Sequence, residues 1–271
     1  MLIRTTASGS YQMGWFLILL SLIVIWIASL CKILHISSNS SPKISFLNNG
    51  AAPCKKNVLL VIAHPDDESM FFSPTINYLI SGGHNLYILC LSIGNADGLG
   101  NARKHELYQA CVILKVPLQQ VKVLDHPNLQ DGFGQVWDHN FLAKIMEEEV
   151  STNDIDVVIT FDKHGISGHC NHCDVHYGVS KLLHANFQRS IEAWELVSTN
   201  ILRKYSGPID IWLSMLSAMK YKNGTMHCLL NMHPEKSFHA MAAHSSQWVW
   251  FRKLFVSFSS YTYVNTLRKI K

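Results

Sequence analysis

A chain of 271 residues with 48% hydrophobic and 15% charged positions is too apolar for wholesale disorder and long enough to bury one sizeable core. Its 23 lysines and arginines against 19 acidic residues leave a formal charge of +4, no electrostatic footprint for a polynucleotide, so no nucleic acid is expected as a partner. Seven cysteines form no dense framework and their odd number leaves one unpaired within a monomer, which suits a reducing compartment.

Between Arg4 and Lys32 no side chain carries a formal charge, and Trp15 to Leu30 is almost unbroken apolar sequence. A helix satisfies its backbone hydrogen bonds internally, so such a stretch reads as a transmembrane helix, with residues 1–32 as a membrane anchor. A cleaved secretory signal is the rival, although no small-residue cleavage pair stands out beyond Ala28 and Ser29. Lys32, Lys43, Lys55 and Lys56 on the C-terminal flank, set against Arg4, favour a cytosolic C-terminal domain. Serine, asparagine, glycine and proline recur over 37–53, so 33–53 is read as a connector and 54–271 as a single soluble domain. The sequon at Asn223 would carry glycan only in the secretory lumen.

Asn57 to Ala63 predicts a buried parallel strand that ends at His64-Pro65-Asp66-Asp67-Glu68 and passes into an apolar helical segment reaching Ile80. After Ser81-Gly82-Gly83 comes a second strand, Leu86 to Ile93, and then a helix over Asn101 to Leu114. Val121 to Leu124, Asp156 to Phe161, Trp194 to Ser198 and Ile209 to Met215 supply four further strand candidates between helical or polar intervals. The alternation predicts an α/β domain with a mostly parallel sheet, its chemistry gathered at strand ends. Near the C-terminus, Trp248 to Phe251 and Phe255 to Tyr263 fit either an interface-facing surface beside Arg252 and Lys253 or ordinary core packing.

Two histidine clusters carry the chemistry. His64 with Asp66 and Asp67 offers imidazole and carboxylate donors to a borderline metal while leaving a carboxylate to handle a proton. Downstream, Gly168-His169-Cys170-Asn171-His172 supplies two imidazoles three positions apart, followed by Asp174 and His176. The plainer readings are a helix cap at Asp66 and Asp67, and a polar loop around His169. Cys170 and Cys173 could instead hold a structural zinc, or simply be buried thiols. Arg103 and Glu106 lie three residues apart and could form an ordinary helix pair or face a substrate together.

The Ala63-to-Glu68 motif, Ser167-Gly168-His169 with Asn171-His172, Arg103 with Lys104 and Glu106, residues 159–162 and 202–205, and 244–248 together resemble the LmbE-like deacetylase family across nearly the whole chain. That resemblance implies a Rossmann-like LmbE-type fold and an amide hydrolase with Zn2+ held by His64, Asp67 and His172. It further implies Asp66 as general base, His169 as transition-state helper and Arg103 as a substrate contact. The substrate it implies is the glycolipid N-acetylglucosaminyl-phosphatidylinositol, on a lipid membrane at the cytosolic face of the endoplasmic reticulum. A deacetylase acting on a soluble N-acetylglucosaminide and a non-catalytic scaffold in a glycolipid-synthesis complex are the alternatives.

Overall fold

The computed structural model describes residues 4–39, 46–47, 55–132, 134–184, 190–221 and 224–271. A long helix α1 (Arg4–Asn39) precedes β1 (Asn57–Ile62), the short helices α2 (Asp67–Met70) and α3 (Ser73–Ser81), β2 (Asn85–Cys90), α4 (Gly100–Ile113) and β3 (Val121–Val123). Next come α5 (His139–Thr152), β4 (Val157–Phe161), the single turn α6 (Gly165–Gly168), α7 (Cys170–His184) and β5 (Glu192–Leu196). The chain closes with α8 (Ile201–Lys204), α9 (Asp210–Lys220), β6 (Met226–Leu230), α10 (Pro234–Ala243), α11 (Trp250–Phe258) and β7 (Val264–Lys269).

Seven strands form one sheet in the order β3-β2-β1-β4-β5-β7-β6. The first five are parallel, and β7 runs antiparallel to both β5 and β6. Alternation along β1 explains why its sequence is continuously apolar. Val58, Leu60 and Ile62 pack with Ile76, Leu79 and Leu107 from α3 and α4, whereas Leu59 and Val61 pack with Leu142, Met146, Val175 and Val179 from α5 and α7. A parallel sheet covered on both faces has no wet side to place polar residues on.

The mixed α/β architecture and the five parallel strands agree with the sequence reading to within a few residues. The strand expected over Ile209 to Met215 is instead the start of α9, entered through a 3₁₀ turn, Gly207–Ile209. There Ile211 and Ser214, three positions apart, turn inward with Asp210, while Trp212, Leu213, Leu216 and Met219 face out. A segment this short has no clear period of its own, and the half-buried Arg203–Asp210 ion pair, with Nε to Oδ1 at 2.6 Å, ties down the helical start. The two antiparallel strands β6 and β7 are not among the sequence expectations, and β7 carries Arg268 and Lys269, which blur its pattern.

Among the described residues α1 is the one helix long and apolar enough to cross a membrane, over Tyr11–His35. Its 25 residues extend about 37 Å at 1.5 Å per residue, more than a hydrocarbon core of about 30 Å. The helix runs on to Asn39, into the stretch read as connector. Its C-terminal half docks on the domain: Trp212 Nε1 donates to Ser29 Oγ at 2.9 Å, Lys32 sits 3.8 Å from the Trp212 ring centroid, and Ile33 is buried with Ile211 and Tyr263.

Candidate active site

Strand order reverses at β1, whose neighbours β2 and β4 lead their crossovers apart, and the crevice at the carboxyl ends of β1 and β4 is where open α/β sheets receive ligands. Both histidine clusters arrive there. His64 follows β1 directly, and Asp67 folds back so that its Oδ2 accepts the backbone N–H groups of Ala63 at 3.0 Å and His64 at 2.9 Å. Asp67 thus ties down the strand end rather than capping the helix that follows, and its other oxygen, Oδ1, lies 3.2 Å from His172 Nε2.

Asp66 makes no side-chain cap. Its backbone takes φ 108°, a conformation L residues rarely adopt and one that recurs at functional sites. Glu68 stabilises it from below: its Oε2 accepts the Asp66 backbone N–H at 3.1 Å, and its Oε1 pairs with His244 Nε2 at 2.6 Å, both side chains fully buried. The Asp66 carboxylate meets two guanidinium groups, Arg103 Nη2 at 3.4 Å and Arg252 Nη1.

At the end of β4, Asp162 accepts the backbone N–H of His164 at 3.0 Å and of Ser198 at 2.7 Å, turning the chain sharply. Gly165 then takes φ +54°, and a Cβ there would lie 2.9 Å from the His172 Cβ, so no larger residue fits without moving that imidazole. Ile166 also has positive φ, and Lys204 Nζ holds the strained turn by donating to the Ile166 carbonyl at 2.8 Å and Ser167 Oγ at 2.9 Å. Three positions apart near the start of α7, His169 and His172 stack with centroids 4.8 Å apart. The His172 ring stacks on Phe161 at 4.0 Å, and its Nδ1 lies 3.2 Å from the Gly165 carbonyl. That contact orients the ring so that Nε2 points toward Asp67 Oδ1 on the cavity side.

One ring nitrogen from each of His64, His169 and His172 lies within 4.8 Å of the others. The cavity they share is also lined by Asp66, Asp67, Arg103, Asp131 and Arg252. Burial pushes the His169 imidazole down to about 4, helped by repulsion from His172 and His64, so it is neutral at physiological pH. Burial opposes the charged form of His64 as well, yet its hydrogen bond to Asp131, at 3.1 Å from Nε2, and the Asp67 charge hold its pKa above the ordinary value. Burial would raise the Asp67 pKa, but the charge and hydrogen bond of His172 outweigh it and hold the carboxyl far below the usual range. Imidazoles grouped with a carboxylate are the donor set that a borderline divalent ion such as zinc prefers. The residues present fit a divalent metal.

The structure brings His64, Asp66, Asp67, His169, His172 and Arg103 to one cavity. Arg103 does not pair with Glu106. Its two terminal nitrogens donate to the carbonyls of Gly94 and Pro65, both at 2.8 Å, and to Asp131 and Asp66, while Glu106 accepts from the hydroxyls of Ser245 and Ser246. A Cβ at Gly94 would lie 2.6 Å from the Arg103 guanidinium, which explains the glycine. Asp174 and His176 serve structure: Asp174 accepts the Trp137 backbone N–H at 2.9 Å, and His176 Nδ1 lies 3.2 Å from the Phe161 carbonyl. Cys170 and Cys173 are not in the imidazole cluster. Sequence reasoning did not single out Asp131, which precedes Gly132 in a loop, or the pairing of Arg252 with Asp66. Only the acidic residue before a glycine could have signalled the former. Asn223 of the sequon lies outside the described residues.

The family described as GlcNAc-PI de-N-acetylase (PIG-L) matches residues 59–183. The N-acetylglucosaminyl-phosphatidylinositol de-N-acetylase of Bos taurus is 37% identical over 210 residues, covering 77% of this chain and 81% of its own. That of Saccharomyces cerevisiae is 31% identical over 268 residues, covering 83% and 87%. Among solved structures, the N,N'-diacetylchitobiose deacetylase from Pyrococcus horikoshii superposes with a TM-score of 0.57 at 15% identity, covering 90% of this chain and 92% of the other, which is a likeness of fold.

Proposed function

This chain belongs to the GlcNAc-PI de-N-acetylase (PIG-L) family, and from that premise we propose that it is the zinc-dependent hydrolase that removes the N-acetyl group of N-acetylglucosaminyl-phosphatidylinositol in glycosylphosphatidylinositol-anchor biosynthesis. The observation that carries this reading is the convergence of three imidazoles and the Asp66 and Asp67 carboxylates in one crevice at the ends of β1 and β4.

His64, Asp67 and His172 would hold the metal, which when bound supplies polarisation of the amide carbonyl and a lowered pKa for water. Asp66 takes the proton of the attacking water as its oxygen bonds to the carbonyl carbon. His169 lines the same cavity and donates a hydrogen bond to the oxygen that gains charge. The carbon–nitrogen bond then breaks, the proton held by Asp66 passes to the leaving nitrogen, and the products are acetate and a free glucosamine amine. Arg103 borders the substrate space, and its proposed part is to fix the Asp66 and Asp131 carboxylates while facing the polar sugar. Purified full-length chain given N-acetylglucosaminyl-phosphatidylinositol in micelles should release acetate with Zn2+ and not without it. Inactivity after stoichiometric metal reconstitution would overturn the reading, and equal turnover of a lipid-free N-acetylglucosaminide would replace its substrate.

We further propose α1 as a retained anchor that holds the domain on the cytosolic face of the endoplasmic reticulum membrane. Supporting this are the length of its apolar stretch, its docking through Trp212 and Lys32, and the outward apolar residues on α9 and α11. In sealed microsomes the domain should be digested by added protease, and protection would reverse the orientation.

A further inference from the structure

Resting on the deacetylase reading, we propose that Arg252 is the phosphodiester-binding residue of the site and that α11 is the element that meets the lipid part of the substrate. N-acetylglucosaminyl-phosphatidylinositol carries its reacting amide on the sugar and an anionic phosphodiester between inositol and glycerolipid. A cation between the reacting carboxylate and a lipid-facing surface is therefore needed.

Arg103 is poorly suited to that task. It is 6% exposed, and its two terminal nitrogens already contact two carbonyls and two carboxylates. Arg252 differs on both counts: its side chain is 21% exposed at the cavity lining, and its polar contacts among the described residues, with Asp66 and with Met70 Sδ at 3.9 Å, run through Nη1. The Nε and Nη2 donors keep capacity for the fork geometry by which a guanidinium takes phosphate.

The helix that carries it has two unlike faces. At 100° per residue, Trp250, Phe251, Leu254 and Phe258 fall within an arc of about 100°, and Arg252 and Val256 lie on the other side. The four apolar residues are 72, 54, 50 and 48% exposed, while Val256 is 1% exposed. The apolar stripe is not isolated. The 3₁₀ turn at Gly207–Ile209 packs against α11, against α9 and against α1, so the helix that carries the stripe and the docking site of the proposed anchor meet at one turn. Its occupant is accordingly the lipid interface in which that anchor sits, and Arg252 links this surface to Asp66. An arriving phosphodiester competes with Asp66 for Arg252 and draws the guanidinium away from the carboxylate that must accept a proton.

Three substrates separate the contributions: N-acetylglucosaminyl-phosphatidylinositol in mixed micelles, its deacylated, water-soluble, phosphate-bearing form, and N-acetylglucosaminyl-inositol without phosphate. Arg252→Ala in the full-length chain should lower the ratio of kcat/KM between the two soluble compounds by about tenfold, the scale of one lost charge-assisted contact. Arg252→Lys should recover part of that ratio. Effects on Asp66 that do not involve the phosphate are common to both compounds and cancel in the ratio, so an unchanged ratio overturns the proposal. If the wild-type chain releases acetate from none of the three, the deacetylase reading has failed, and calorimetric binding of the two soluble compounds then decides the Arg252 assignment by itself. Equal loss of both in Arg252→Ala would refute it.

Discussion

Asp66 and Asp67 are adjacent in sequence, yet the fold gives them opposite surroundings. Asp67 is tied to two backbone N–H groups and to His172, so its charge is fixed and directed at the imidazoles. Asp66 sits at positive φ with its carboxylate held, among the described residues, by two arginines, a group placed to exchange partners and carry a proton. Asp66→Asn should therefore lower kcat by roughly 10²- to 10⁴-fold, the range for loss of a general base, while bound zinc stays stoichiometric. His64→Ala and His172→Ala should instead lose the metal, and His169→Ala should keep it with reduced kcat. Atomic absorption on the purified variants checks all four. If His169→Ala loses zinc while Asp67→Ala retains it, the ligand set is the three imidazoles. The imidazole and the run of carboxylates in residues 64–68 made the presence of a site legible from the sequence, but which aspartate does what depends on a backbone angle that no spacing encodes.

Between elements, the Glu68–His244 pair is the join that decides rigidity. It ties α2 to the residue following α10 across 176 positions of sequence, with both side chains out of water. Burial alone would depress the His244 pKa, but the Glu68 charge and hydrogen bond outweigh it and raise the value above the ordinary 6.5. A raised pKa in the folded state means that the pair's stabilisation is fully present below about pH 6.5 and is lost as pH rises through the folded value. Removing one partner of a buried pair costs about 3–5 kcal/mol, so His244→Gln should lower stability most near pH 6. Denaturant melts of both proteins should show the gap narrowing at higher pH, and a gap that widens would contradict the assignment. The same scale explains the misread element. Ile209 to Met215 shows no apolar stripe in sequence because Asp210 and Ser214 turn inward with Ile211 while Trp212, Leu213 and the following Leu216 face outward. A pattern with polar residues turned inward and apolar residues outward loses the period that distinguishes helix from strand.

For the molecule as a whole, a parallel sheet buried on both faces supplies a rigid platform, and the strand-order reversal at β1 opens the crevice above it. α1 stands outside this platform and touches it through Ser29, Lys32 and Ile33 at the C-terminal end of its apolar stretch. If α1 is an anchor, deleting residues 1–32 should abolish co-flotation with phosphatidylinositol-containing vesicles or reduce it to what α9 and α11 support. The deletion should leave turnover of a lipid-free substrate within a few-fold. A tenfold fall there would mean that the helix also holds the catalytic domain in shape.

From the residues in order, the parallel strands, the long apolar helix and the two histidine clusters follow, because each rests on a local pattern: a run of β-branched and aliphatic residues, an uncharged stretch, or metal-ligand types at short spacing. What the tertiary structure decided is what meets across long loops. Asp131 reaches His64, Arg252 reaches Asp66, and His244 reaches Glu68, with 67, 186 and 176 positions between the partners. Such contacts arise from where the sheet's crossovers set down their loops, and a property of the path through space leaves no periodic trace along the chain.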